Sequence, residues 1–133
     1  EWIIKTELLE PIKPLLNAGM IFEAIVLMLN NISANSVFYK KALKLEGAVT
    51  FNQIAMKCVY EMFMNIISEK STGKKSKYRW LTPEVISTYY AQSLCFITEG
   101  WIAQGMDDIE PKEMAEAYMY LITRSMDDIL SEL

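Results

Sequence analysis

The chain has 133 residues, which is the size of one domain with its own hydrophobic core. Its composition is 52% hydrophobic and 23% charged, and this balance excludes a disordered chain and disfavours a turn-rich β protein. The formal net charge of -4 disfavours direct binding to nucleic acid, because the chain as a whole would repel a phosphate backbone.

The chain contains no histidine, and its two cysteines, Cys58 and Cys95, stand among apolar residues. Without histidine the usual pairs of nucleophile and base are missing, so we expect no enzyme. The sequence Met-Asp-Asp-Ile occurs at Met106–Ile109 and Met126–Ile129 without the ligand spacing of a calcium loop, and we expect neither a metal nor a cofactor.

The cysteines predict buried free thiols in a reducing cytoplasm. The longest apolar run, Ala24–Leu29, is far shorter than the roughly 20 residues that cross a bilayer, so we expect no membrane partner.

The N-terminal part of the chain predicts three helices. The first, Glu1–Leu9, is typical of the end of a helix, and Pro11 and Pro14 interrupt it. The second, Ala18–Ile32, is apolar nearly all round and must be largely buried. A short amphipathic helix, Val37–Leu45, follows and ends before a glycine. Its predicted apolar side holds Phe38, Ala42 and Leu45, and the glycine that stops it is Gly47.

The C-terminal part predicts three more helices. Thr50–Ser68 carries one narrow polar stripe, which indicates a helix with neighbours on most sides. A polar, cationic loop spans Lys70–Arg79. Thr82 is a candidate N-cap, with proline at the first helical position, for a helix that ends at Gly105. Pro111 begins the last helix, and no strand alternation appears. The sequence therefore predicts an all-α fold, an orthogonal bundle of about six helices.

The last two predicted helices carry more apolar surface than one stripe needs, since a core-facing stripe already spans about 100°. A second copy of the chain would cover the surplus, so that the last two helices of two chains form an intersubunit four-helix bundle. The alternative is that all of this surface serves one intramolecular core. The residues predicted for the dimer interface are Val85, Tyr89, Ser93, Phe96, Gly100 and Ala103 on one helix and Tyr118, Ile122 and Met126 on the other.

Nine methionines and twelve Phe and Tyr residues suggest an adaptable apolar pocket. The candidate pocket residues share one broad helix face or come from the helix expected beside it: Met56, Tyr60, Phe63, Met64, Ile67 and Tyr90. A buried tyrosine hydroxyl needs a partner, so Tyr60 or Tyr90 would meet a polar atom of a ligand. The alternative for each of these residues is plain core packing.

The stretch YYAQSLCFITEGWIAQGM and, after it, PKEMAEAYMYLI contain an aromatic pair, a tryptophan, a Gly-Met corner and a Pro-x-Glu-Met-Ala helix start. The two stretches resemble the last two helices of TetR-family transcriptional regulators. The matching positions are Tyr89, Tyr90, Trp101, Gly105, Met106, Pro111, Glu113, Met114 and Ala115. With NNISANSVFYKKAL upstream, the resemblance extends from about Ile21 to Ile122.

The resemblance implies that residues 1–133 form a single effector-binding and dimerisation domain. In this family such a domain controls a DNA-binding helix-turn-helix that precedes it. Because the chain begins at Glu1 rather than methionine, we expect a fragment whose DNA-binding domain lies upstream. The expected partners are then a second copy of the chain and an apolar small-molecule effector, with DNA bound only through the missing domain. The competing interpretation is a helical protein-interaction module with no small-molecule ligand.

Overall fold

The computed structural model describes residues 2–44, 50–70 and 77–133, and within these ranges the chain is all-helical. The described part contains eight helical segments rather than the six predicted, because a short helix that includes Pro14 follows Pro11 and the last predicted helix is divided in two. The segments are a π-helical turn Ile4–Leu9 and the α-helices α1 Lys13–Asn17, α2 Ile21–Ala34, α3 Ser36–Leu43, α4 Phe51–Lys70, α5 Pro83–Ala103, α6 Pro111–Thr123 and α7 Met126–Glu132. Leu45, Gly47 and loop residues 71–76 lie outside the described residues.

The junction between α1 and α2 explains why α2 begins at Ile21 and not at Ala18. Gly19 has a φ of 78°, a conformation that favours glycine. The Met20 N–H donates to Leu15 O at 2.8 Å and the Gly19 N–H donates to Leu16 O at 3.0 Å. This pair of bonds is the Schellman arrangement that ends helices, so α1 stops here and the chain turns before α2 starts.

The predicted apolar side of α3 was wrong at Phe38, and the adjacent Tyr39 is buried instead. Tyr39 and Ala42 are buried, whereas Phe38 is exposed. The edge of the Phe38 ring meets the Tyr39 ring, with their centroids 5.0 Å apart. The larger buried area therefore comes from the tyrosine. Helices α2 and α3 bend by 89° at their junction, and in the described part of the chain no single helix is long and apolar enough to cross a membrane.

Helix α4 begins with a reciprocal pair of hydrogen bonds. The Thr50 N–H donates to Gln53 Oε1 at 2.8 Å, and the Gln53 N–H donates to Thr50 Oγ1 at 3.2 Å. This capping box satisfies two N–H groups that a helix start leaves without partners. Further along α4, the Glu61 carboxylate lies 3.3 Å from the ammonium of Lys5, so an ion pair joins α4 to the π-helical turn.

Helix α5 begins where the sequence predicts, since Thr82 Oγ1 accepts the Val85 N–H at 3.3 Å. Past its end, Gly105 and Met106 both have positive φ values, 97° and 64°. Two such residues in succession make the sharp corner before α6. The Trp101 Nε1–H donates to Ile109 O at 2.9 Å and holds this corner against the core.

The last predicted helix is divided at Ser125. Helix α6 ends at Thr123, and Ser125 Oγ then accepts the Asp128 N–H at 3.2 Å to cap α7. The apolar residues of α6 and α7 therefore do not form one continuous face. In the described chain α4 packs along α5 and α6 packs along α2, with three fully buried alanines letting the helices approach closely. These alanines are Ala24, Ala91 and Ala115.

Candidate functional site

A cavity of about 390 Å³ lies between the helices. This volume is within the range of about 300–1,000 Å³ that is usual for small-molecule sites. Its walls come from α1 with the residue before it and the turn after it, from α2, from the second half of α4, and from α5 and α6. The lining residues are Ile12, Leu16, Gly19, Ile21, Ala24, Ile25, Met28, Met62, Phe63, Ile66, Ile67, Lys70, Ile86, Tyr90, Leu94, Tyr118 and Ile122. Almost all of these side chains are apolar.

Three of the six predicted pocket residues, Phe63, Ile67 and Tyr90, line this cavity. The rings of Phe63 and Tyr90 contact each other in this wall, with their centroids 6.1 Å apart and their planes tilted by 41°. The other three, Met56, Tyr60 and Met64, are not among the lining residues. Met56 and Tyr60 lie in the first half of α4, which contributes no residue to the cavity wall. Met64 lies in the second half, but on a side of the helix that points away from the lining residues of α4.

Tyr118 brings a polar group to the cavity wall. Ser93 Oγ–H donates to Tyr90 O at 3.0 Å, which leaves Tyr118 to donate its hydroxyl proton to Ser93 Oγ at 2.9 Å. Burial raises the pKa of Tyr118, and the hydrogen bond with Ser93 partly opposes that shift. The predicted interface residue Tyr118 is only 3% exposed. It therefore lies in the chain's own core, because α6 turns this face toward the cavity.

Ile12 is a cavity residue that the sequence reading missed. It stands between Pro11 and Pro14, is 2% exposed and forms part of the cavity wall. The prolines indicated a break in the helix there, but nothing in the local pattern showed that the residue between them would be buried. The segment that enters the domain from its N-terminal side therefore contacts the cavity directly.

Lys70 stands at the opening of the cavity. It is the last residue of α4 rather than a member of the following loop. Its ammonium donates to Asn17 O at 2.8 Å and to Leu16 O at 3.3 Å, at the end of α1. The exposed lining residues gather at this end of the cavity, namely Lys70, Gly19 and Ile21. The opening thus lies between the turn after α1 and the end of α4.

The remaining predicted interface residues divide into exposed and half-buried groups. Tyr89 is 63% exposed and Phe96 76% exposed, and Gly100, Ala103 and Met126 are exposed as well. Large apolar side chains that stand out in this way often mark interaction surfaces. The half-buried residues are Val85, Ser93 and Ile122, and Ile122 also lines the cavity.

A small space of about 40 Å³ shares the lining residues Met28 and Leu94 with the cavity. Tyr39, Thr98, Cys95 and Glu99 are among its lining residues. Burial raises the pKa of the Glu99 carboxyl, and a hydrogen bond from Asn52 Nδ2 at 2.6 Å partly opposes the shift. Both cysteines are buried, and no disulfide joins them. In the residues that the structure describes, no three His, Cys, Asp or Glu side chains are grouped so as to hold a metal.

The fold and the cavity define a class, that of all-helical domains with an apolar chamber in the core. The sequence comparison gives the family. A family model described as a transcriptional regulator C-terminal region, of the TetR type, matches residues 20–124. The match covers most of the chain, and the chain therefore belongs to the TetR-family regulator C-terminal domains. A search of curated proteins and a search of solved structures each found no match.

Proposed function

We propose that residues 1–133 are a single ligand-sensing and dimerisation domain of a TetR-like bacterial regulator, which controls DNA binding by a helix-turn-helix preceding it. The observation that carries the proposal is the apolar cavity of about 390 Å³ between α1, α2, α4, α5 and α6. Membership of a family of transcriptional regulator C-terminal regions supports the regulatory role. A regulator of this kind would work in the bacterial cytoplasm, where the DNA is.

The N-terminal segment offers a path from the cavity to the DNA-binding part. Ile12 and Leu16 belong to the cavity wall, and Pro11 separates them from the π-helical turn that precedes them. A ligand that fits one packing of this wall better than another shifts the population toward it, and the preceding segment moves with the wall. Couplings of this kind are typically worth about 1–3 kcal/mol, so operator affinity would change by about 5- to 150-fold.

A cavity-filling substitution tests the ligand role. Ile66 and Ile54 are both half-buried isoleucines of α4, but only Ile66 lines the cavity. We expect Ile66→Trp to weaken binding of apolar ligands, measured by native mass spectrometry and calorimetry, while Ile54→Trp does not. Wild-type protein that binds no ligand from a broad apolar panel would favour the competing interpretation, a helical interaction module without an effector.

The dimer part of the proposal uses the exposed side of α5. Tyr89, Phe96, Gly100 and Ala103 recur along this helix at spacings that keep them on one side. An added Cβ at Gly100 would meet nothing within 4 Å in the described chain, so there is open space for a second helix to approach. Because Tyr118 faces inward, α6 would contribute its exposed Leu121 to the four-helix bundle.

Light scattering tests the dimer. The purified chain should give twice its mass of 15.3 kDa, and Phe96→Glu should shift the mass toward the monomer because a charge would be buried in the interface. Val37→Glu is the matched control, since Val37 is an exposed apolar residue on α3. A monomeric wild type at tens of micromolar, or equal effects of the two variants, would reject the proposed interface.

A further inference from the structure

We infer that the cavity takes an amphiphile with an apolar chain and an anionic head group, held at the opening by Lys70. The inference rests on the proposed function, because it names the ligand class for the same cavity. Among the described lining residues Lys70 is the only charged one, and no lining residue is acidic. A charge at the mouth of an otherwise apolar chamber favours a ligand that is apolar along its body and negative at its end.

The hydrogen bonds of Lys70 hold its charge at the opening without neutralising it. Its two acceptors in the described chain, Leu16 O and Asn17 O, are uncharged backbone carbonyls. An ammonium has three N–H donors, so one remains for a ligand oxygen. The resulting contact would be a charge-assisted hydrogen bond, which is about twice as strong as a neutral one.

The volume of the cavity limits the length of the apolar chain. A space of about 390 Å³ holds on the order of a dozen groups of water size, at about 30 Å³ each. A carboxylate with a chain of about ten carbons fits this estimate. Each methylene added up to that length should strengthen binding about fourfold, and further methylenes should add little.

The test compares three probes that share one chain and differ in the head group: decanoate, decanol and decyltrimethylammonium. Calorimetry on the wild-type chain should show decanoate binding about tenfold more tightly than decanol, with the cation weakest. Lys70→Gln should remove the preference for decanoate over decanol. Lys41→Gln is the matched control, because Lys41 is an exposed lysine on α3 away from the cavity.

The outcomes separate the two proposals. Equal binding of decanoate and decanol, or tighter binding of the cation, would overturn the anionic class and leave ligand sensing intact. If none of the three probes binds, both proposals fail. Should Lys70→Gln not fold because the end of α1 loses its contact, the head-group comparison on the wild type still decides. Lys70→Arg, which keeps the charge, should retain the preference for decanoate.

Discussion

Ser93→Ala should destabilise the domain more than Tyr118→Phe, although both substitutions remove the same hydrogen bond. Ser93→Ala leaves the Tyr118 hydroxyl buried without its acceptor, since this residue is 3% exposed and Ser93 Oγ is 2.9 Å away. A buried polar group left unpaired costs about 1–3 kcal/mol. Tyr118→Phe removes the hydroxyl itself, while Ser93 still donates to Tyr90 O. We expect that variant to lose about 0.5–1.5 kcal/mol.

The double variant Ser93→Ala/Tyr118→Phe closes a thermodynamic cycle. Once Ser93 is gone, removing the tyrosine hydroxyl also removes the unpaired group, so the second substitution should cost nothing or restore stability. The two effects should therefore fall short of additivity by about 1 kcal/mol or more.

Urea denaturation followed by circular dichroism measures all four proteins, at one protein concentration so that any dimerisation affects them equally. If the effects of the two single substitutions on the free energy of unfolding add to within about 0.5 kcal/mol, the assigned hydrogen bond between Tyr118 and Ser93 is refuted. Substitutions at residues that do not interact have additive effects. The affinity of the Tyr118→Phe variant for an apolar ligand is a second measurement. Tyr118→Phe keeps the ring that lines the cavity, so binding of an apolar ligand should be unchanged.

Three further predictions concern single sites. Burial raises the pKa of Glu99 in the folded state, so ionisation favours unfolding as the pH rises through that pKa. Glu99→Gln should then stabilise the domain in urea denaturation at neutral pH but not in strong acid, and a pH-independent difference would contradict this. Burial and, second, the nearby Glu99 charge raise the pKa of Cys95 to about 12. Its thiol should resist labelling in mild alkali until the chain unfolds, and rapid native labelling, located by peptide mass spectrometry, would contradict this. Thr50→Ala should cost about 1 kcal/mol in thermal denaturation, because the capping box is lost, whereas a change of only a few tenths would show that the box contributes little.

Helix starts with their own local chemistry were predictable from the sequence. Thr82 followed by proline specified the start of α5, and Pro111 specified the start of α6. These signals work because the cap and the proline act within one helical turn. Helix α7 had such a signal as well, a serine at Ser125 followed three residues later by Asp128. The apolar pattern running through both helices hid it, since that pattern suggested one long helix.

The side of a helix that a distant segment covers was less predictable. In α3, Phe38 and Tyr39 are adjacent large aromatic residues, and only the packing of the whole core decides that Tyr39 is buried. The cavity posed the same problem. The aromatic face of α4 indicated Phe63 and Ile67, but the position of the cavity along α4 depends on α1 and α2, which share the cavity wall only with the second half of α4. Sequence periodicity describes a direction around a helix and not a position along it.

The cavity wall contains residues from distant parts of the described chain. Ile12 comes from the N-terminal part, and Tyr118 and Ile122 come from the C-terminal part. During synthesis the chamber is therefore incomplete until α6 has left the ribosome and packed along α2. A compound that recognises the chamber can engage only a finished domain, and its binding energy adds to the stability of that state alone. On the proposed function, a cell that contains an effector would hold more intact domain as well as domain in a different conformation, so abundance and activity would respond to the same molecule.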